Sequence, residues 1–88
     1  MASKRDFKRM LNDVIGSIIE AVYVWQITHP EKPTEDSEKI IDDAIILFDE
    51  LIVKVNQRGL ENPNKHFKQI DTELEERGRS LIDRINAL

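Results

Sequence analysis

Apolar residues return every three or four positions through three long stretches of the chain, with polar residues between them. At 100° per residue, Phe7, Leu11, Val14, Ile18, Val22 and Trp25 fall in one narrow arc, which Met10, Ile15 and Ala21 widen. The spacing predicts a first helix that runs to about Thr28. Ser3-Lys4-Arg5-Asp6 has the form of a capping box with Asp in the usual Glu place, and sets its start. Gly16 interrupts the pattern at a cost of about 1 kcal/mol against Ala, and either weakens the helix locally or marks a place where another helix comes close.

His29-Pro30-Glu31-Lys32-Pro33-Thr34 breaks the first pattern, because each proline lacks an amide donor and disfavours helix for the residue before it. Thr34 stands where an N-cap belongs, followed by Glu35, Asp36 and Glu38 at the positive end of the next helix. That second helix is predicted over about 35–57, with Ile40, Ile41, Ala44, Ile45, Leu47, Phe48, Leu51, Ile52 and Val55 as an arc wide enough to face two neighbours. Its many β-branched residues do not make it a strand, since alternation is absent and the run is too long. Gly59 offers a left-handed stop, Asn62 an N-cap and Pro63 a first helical residue. The third helix then carries Phe67, Ile70, Leu74, Leu81, Ile85 and Leu88 as a stripe, with Gly78 where an apolar side chain is expected and a neighbouring backbone has room to approach. Short loops between helices of similar length predict antiparallel neighbours, so the expected fold is a single all-α domain over residues 1–88, an up-down-up three-helix bundle of undetermined hand.

Two helices carry more apolar residues than one buried face needs. Ile19, Tyr23 and Ile27 stand four residues apart and project roughly 100° to 180° from the core arc of the first helix. Ile46 and Val53 stand seven apart on the second, among Asp42, Asp43, Asp49 and Glu50. A ridge of this kind is the sequence mark of a contact surface, and these five residues are the expected partner interface. The alternative is that wide helices wrap a small core and bury them within one chain.

Composition narrows the function classes. The chain has 88 residues, 40% hydrophobic, which suits one small domain and leaves no room for a second. It has no cysteine, which removes disulfides, thiolate catalysis and cysteine-ligated metals. No run reaches the roughly 18–20 apolar residues of a membrane span, and Met1-Ala2-Ser3-Lys4-Arg5 does not lead into a signal-peptide apolar region, so a cytoplasmic location is expected. The net charge of −4 argues against a general affinity for phosphate backbones. Lys4, Arg5, Lys8 and Arg9 nevertheless form a local basic cluster within two turns, able to meet nucleic acid or an acidic partner, although without interleaved aromatics or a second dense basic segment an ordinary solvated helix face is the expected reading.

Catalytic chemistry finds little to stand on. Asp42/Asp43, Asp49/Glu50 and Glu75/Glu76 are adjacent pairs that point about 100° apart, and Asp42 with Asp49 lies near 10 Å along the axis, too far for one ion. They are expected to be solubilising surface. His29 and His66 have no ligand or carboxylate at useful spacing, and an assembly of His66 with Ser80 or Asp71 would need groups from different turns or faces. No enzyme, cofactor or metal is therefore expected.

Ser3-Lys4-Arg5-Asp6-Phe7-Lys8-Arg9, Asp49-Glu50-Leu51-Ile52-Val53-Lys54-Val55-Asn56 and Lys65-His66-Phe67-Lys68-Gln69-Ile70 together resemble a group of short, uncharacterised all-helical bacterial proteins. That resemblance implies an all-helical fold and assigns no residue a role. The function expected is a small interaction or scaffold module that self-associates as a homodimer, or meets another helical protein. The alternative is a nucleic-acid-binding regulator using the basic start of the first helix.

Overall fold

A computed structural model describes residues 4–88, in which three helices are joined by two short loops. Helix α1 spans Lys4–Thr28, α2 Glu35–Val55 and α3 Pro63–Asn86. All three pack on one another in an up-down-up bundle 51 × 18 × 17 Å in extent. No helix among the described residues is long and apolar enough to cross a membrane.

The core follows the helical period. Leu11, Ile15, Ile18 and Val22 of α1 meet Ile40, Ala44, Leu47, Leu51 and Val55 of α2, and Ile70, Leu74 and Leu81 of α3 close the third side. Most of these are at most 1% exposed, and full burial of a Leu or Ile stabilises by roughly 1.5–3 kcal/mol before entropy is counted. Packing between α1 and α2 is the most extensive of the three interfaces, and that between α1 and α3 the least. Ile45, expected in the core arc, is 46% exposed, because the α1–α2 seam closes over Phe48 and Ile52 and leaves Ile45 at its outer edge.

Local chemistry sets the element ends, not always by the residue expected. The expected cap at Ser3 lies outside the described residues. Asn62 caps α3, its Oδ1 accepting from the Lys65 amide at 3.2 Å, with Pro63 at the first helical position. Thr34 precedes α2 but its side chain caps nothing, since its own backbone is already in the right-handed helical region. The tie is made three residues later. The buried Ser37 hydroxyl donates to the Thr34 carbonyl at 2.9 Å and accepts from Gln26 Nε2 at 2.8 Å, locking the first loop to α1. Gly59 does adopt a positive φ of 70°, but three residues beyond the Asn56 cap, so it turns the second loop and does not terminate α2.

Both histidines lie against backbone carbonyls at helix ends. His29 stacks on Trp25 with centroids 4.8 Å apart and places Nδ1 2.9 Å from the Trp25 carbonyl oxygen, covering the end of α1. His66 Nε2 lies 2.7 Å from the Lys54 carbonyl oxygen, so a ring N–H donated there joins the start of α3 to the last turn of α2. Phe67, next to it, stacks on Phe7 at 4.9 Å.

Charged pairs along the α2–α3 seam supplement its apolar contact. Arg84 reaches Asp43, Arg77 reaches Glu50 and Glu73, and Lys54 reaches Glu73, at 2.6–2.9 Å. Asp43 and Glu50 are thus cross-helix partners and not merely solubilising surface. The hydrogen bond from Lys54 holds the Glu73 carboxyl below its ordinary value of 4.5, opposed by partial burial and aided by Arg77. A depressed folded pKa contributes stability that is present above the unfolded value and is lost as pH falls through the folded one. Urea midpoints are therefore expected to drop as pH is lowered below 4.5, and Glu73→Gln to flatten that part of the profile. An unchanged slope in Glu73→Gln would assign the loss to other carboxyls.

Neither helical glycine admits a neighbouring backbone within the chain. A Cβ at Gly78 meets only the end of Ile18, Cδ1 at 3.9 Å, and a Cβ at Gly16 meets nothing within 4 Å. Gly78→Ala is expected to add up to about 1 kcal/mol of helix propensity, a rise in Tm of roughly 4–8 °C for a domain of this size. A thermal melt showing no rise, or a fall, would mean that the hole beside Ile18 is tighter than its geometry implies.

Candidate interaction surface

The five expected interface residues divide among different surfaces. Ile19 is half-buried and packs on the core, so much of its area is already covered by its own chain. Tyr23 and Ile27 are 50% and 77% exposed on the outer side of α1. Ile46 lines a recess between α2 and α3 with Leu47, Arg77, Leu81 and Arg84, and Val53 is exposed two turns further along α2. They do not form one patch. Consecutive helical positions diverge by 100°, which sends Ile45 to the α1 side of α2 and Ile46 to the α3 side.

The α1–α2 side is the more continuous surface. A shallow apolar recess runs between Asn12, Ile15, Gly16 and Ile19 of α1 and Ile45 and Phe48 of α2. Tyr23 and Ile27 extend it toward the first loop. Ile45 belongs to this surface and escapes a reading of the sequence because its position in the wheel reads as core.

A second exposed region escapes it too. Between α1 and α3 an apolar groove of about 530 Å³ is floored by Val14, Ile18, Leu74 and Gly78, walled by Met10 and Ile82, and edged by Asp71, Glu75 and Arg79. It continues past Ile82 to Ala21 and Ile85. The absent side chain at Gly78 and the small one at Ala21 leave it open. Gly78 followed four residues later by the exposed Ile82 is the available signal. The groove presents no converging set of hydrogen-bonding side chains, and among the described residues no three of His, Cys, Asp and Glu are placed to share a cation.

Charge is separated along the rod. The Phe7–Phe67 stack sets the starts of α1 and α3 side by side, and the His66–Lys54 contact brings the end of α2 to the same place. Lys4, Arg5, Lys8 and Arg9, all exposed, are therefore joined by Arg58 from the loop after α2 and by Lys65 and Lys68 from α3, while Lys54 beside them is paired with Glu73. Against these seven bases the residues 4–9 and 58–68 carry only Asp6 and Glu61. The opposite end inverts the ratio. Residues 20–43 and 80–88 hold Lys32, Lys39 and Arg84 against eight acids, five of which are Glu31, Glu35, Asp36, Glu38 and Asp42. The sequence shows the basic cluster on α1, but its reinforcement from α3 depends on folding, because Lys65 and Lys68 lie some sixty residues away.

Bases at the start of α1 also oppose the positive end of its macrodipole, where acids are the stabilising choice. Four of them in the first six residues of the helix are thus not explained by helix stability. No protein-family model matches this chain, and neither curated proteins nor solved structures provide a similar one.

Proposed function

We propose that this chain is a helical interaction module whose partner is a second copy of itself, meeting through the outer α1–α2 surface. The observation that carries the reading is the pairing of Tyr23, Ile27 and Ile45, exposed together beside an apolar recess, with a rod that is basic at one end and acidic at the other. Apolar area supplies the drive, each side chain contributing roughly 1–2 kcal/mol if fully desolvated. Charge supplies the choice of partner, since a basic end attracts the acidic end of an identical rod and repels its basic end. One long side of a 51 × 18 Å rod is on the order of 900 Å², so a standard interface of ~800 Å² per partner requires nearly the whole side to be covered.

The basic end supports a second reading, in which it contacts nucleic acid, because the second loop and α3 add bases to those of α1. That reading gives no role to the apolar α1–α2 surface. It predicts an affinity for a short RNA or DNA duplex that falls steeply with salt in a fluorescence anisotropy titration.

Light scattering on the intact chain over a range of concentrations is expected to give twice 10.3 kDa at the upper end and to show dissociation on dilution. Tyr23→Glu is expected to weaken the dimer by about 2 kcal/mol or more, roughly thirtyfold, with helicity unchanged by circular dichroism. A mass of 10.3 kDa throughout would reject self-association.

A further inference from the structure

The outward face of α1 carries a stripe with its own symmetry. Arg5, Arg9, Asn12, Gly16, Glu20, Tyr23 and Ile27 lie within an arc of about 80° at 100° per residue. Every one of them is exposed. Their steps of four, three, four, four, three and four residues read the same from both ends. Gly16 is the centre of that pattern and lies midway along the described length of α1, Lys4–Thr28. A Cβ at this position would have nothing within 4 Å of it, so the lack of a side chain serves no contact inside the chain.

From these observations, and resting on the self-association proposed above, we infer that two copies pair as antiparallel rods about a two-fold axis at Gly16, with α1 crossing α1 of the second copy. An isologous contact brings each residue opposite the one equally far from the axis on the other side. Gly16 then meets Gly16 of the second copy, where two missing side chains let the backbones approach closely. Arg9 comes opposite Tyr23, seven residues from the centre in the other direction, and its guanidinium is of the kind that stacks on a tyrosine ring. Asn12 comes opposite Glu20, an amide donor facing a carboxylate. Arg5 comes opposite Ile27, where its aliphatic stem can cover the most exposed of the large apolar side chains.

The register also satisfies the long-range charge. The Gln26–Ser37 hydrogen bond fixes the start of α2 beside the end of α1, so Glu38 stands at the same end of the rod as Tyr23 and Ile27. Arg5 and Arg9 of each copy therefore approach the end bearing Glu20 and Glu38 in the other. A parallel pair would instead set the four bases of one α1 against the same four of its mate. This pairing accounts for both features that a lone chain leaves without purpose, the bases at the positive end of the α1 dipole and the glycine at its midpoint.

The chain has no cysteine, so single introduced thiols report the geometry directly. Gly16→Cys is expected to oxidise to a covalent dimer at least roughly tenfold faster than Ser17→Cys, whose side chain faces the α1–α3 groove. Arg9→Cys mixed with Tyr23→Cys is expected to cross-link through a short bis-maleimide, while Arg9→Cys alone does so at least about tenfold less. Gly16→Leu, whose Cβ meets nothing within the monomer, is expected to raise the dimer dissociation constant by about a hundredfold or more with helicity intact by circular dichroism. A dimer that cross-links Arg9→Cys to itself, or that tolerates Gly16→Leu, overturns this register and leaves self-association standing. A monomeric unmodified chain overturns both, as does a monomer that binds a short RNA with steep salt dependence.

Discussion

Burial of the Leu11–Val22 stripe of α1 against Ile40–Val55 of α2 is the contact on which the rest of the molecule depends. It supplies most of the fully buried side chains. The relative height of the two helices is held at one end by Gln26 on Ser37. Helix α3 is added to this pair by a narrower stripe. Its apolar residues are fewer and much of its surface is charged, so its seam with α2 is supplemented by Arg77, Arg84 and Glu73, and its contact with α1 remains thin. The long grooves follow from that economy: three helices enclose one core, and the remaining apolar positions have nowhere inward to go.

The same arrangement generates the charge pattern. Antiparallel packing sends the starts of α1 and α3 to one end together with the end of α2, which collects bases from three separate segments. Acids of the first loop and of the start of α2 collect at the other. For α2 these acids favour the helix dipole; for α1 the bases oppose it. A rod with opposite ends of opposite sign and an apolar flank is complementary to its own inverted image, and that is the physical content of the function proposed.

Much of the fold is legible in the sequence because it rests on local rules. Asn62-Pro63 starts α3 by cap chemistry confined to four residues, and α1 ends where the Pro30 and Pro33 loop restricts the backbone and His29 covers the Trp25 carbonyl. Thr34 misleads because Thr and Ser compete for the same role, and the hydroxyl that matters belongs to Ser37, whose partner Gln26 is on another helix. The wheel cannot tell core from edge when an arc is broad, so Ile45 reads as inward and Ile19 as outward, and both sit near the boundary. Asp43 and Glu50 look like solvated acids because their partners Arg84 and Arg77 are defined only by the register of α2 against α3. Gly78 has the mark of a close approach, but only the packed bundle shows that no backbone comes near and that a Cβ there would meet only the end of Ile18. The groove past Ile82 needs both α1 and α3 in place before it exists.

Small-angle scattering on the intact chain addresses the central claim most directly, because it reads mass and length together. Two rods lying side by side with full overlap predict a doubled mass at a maximum dimension only modestly above that of a single 51 × 18 × 17 Å rod. A single-chain mass at every concentration, or a doubled mass at about twice that length, as rods joined end to end would give, would contradict it.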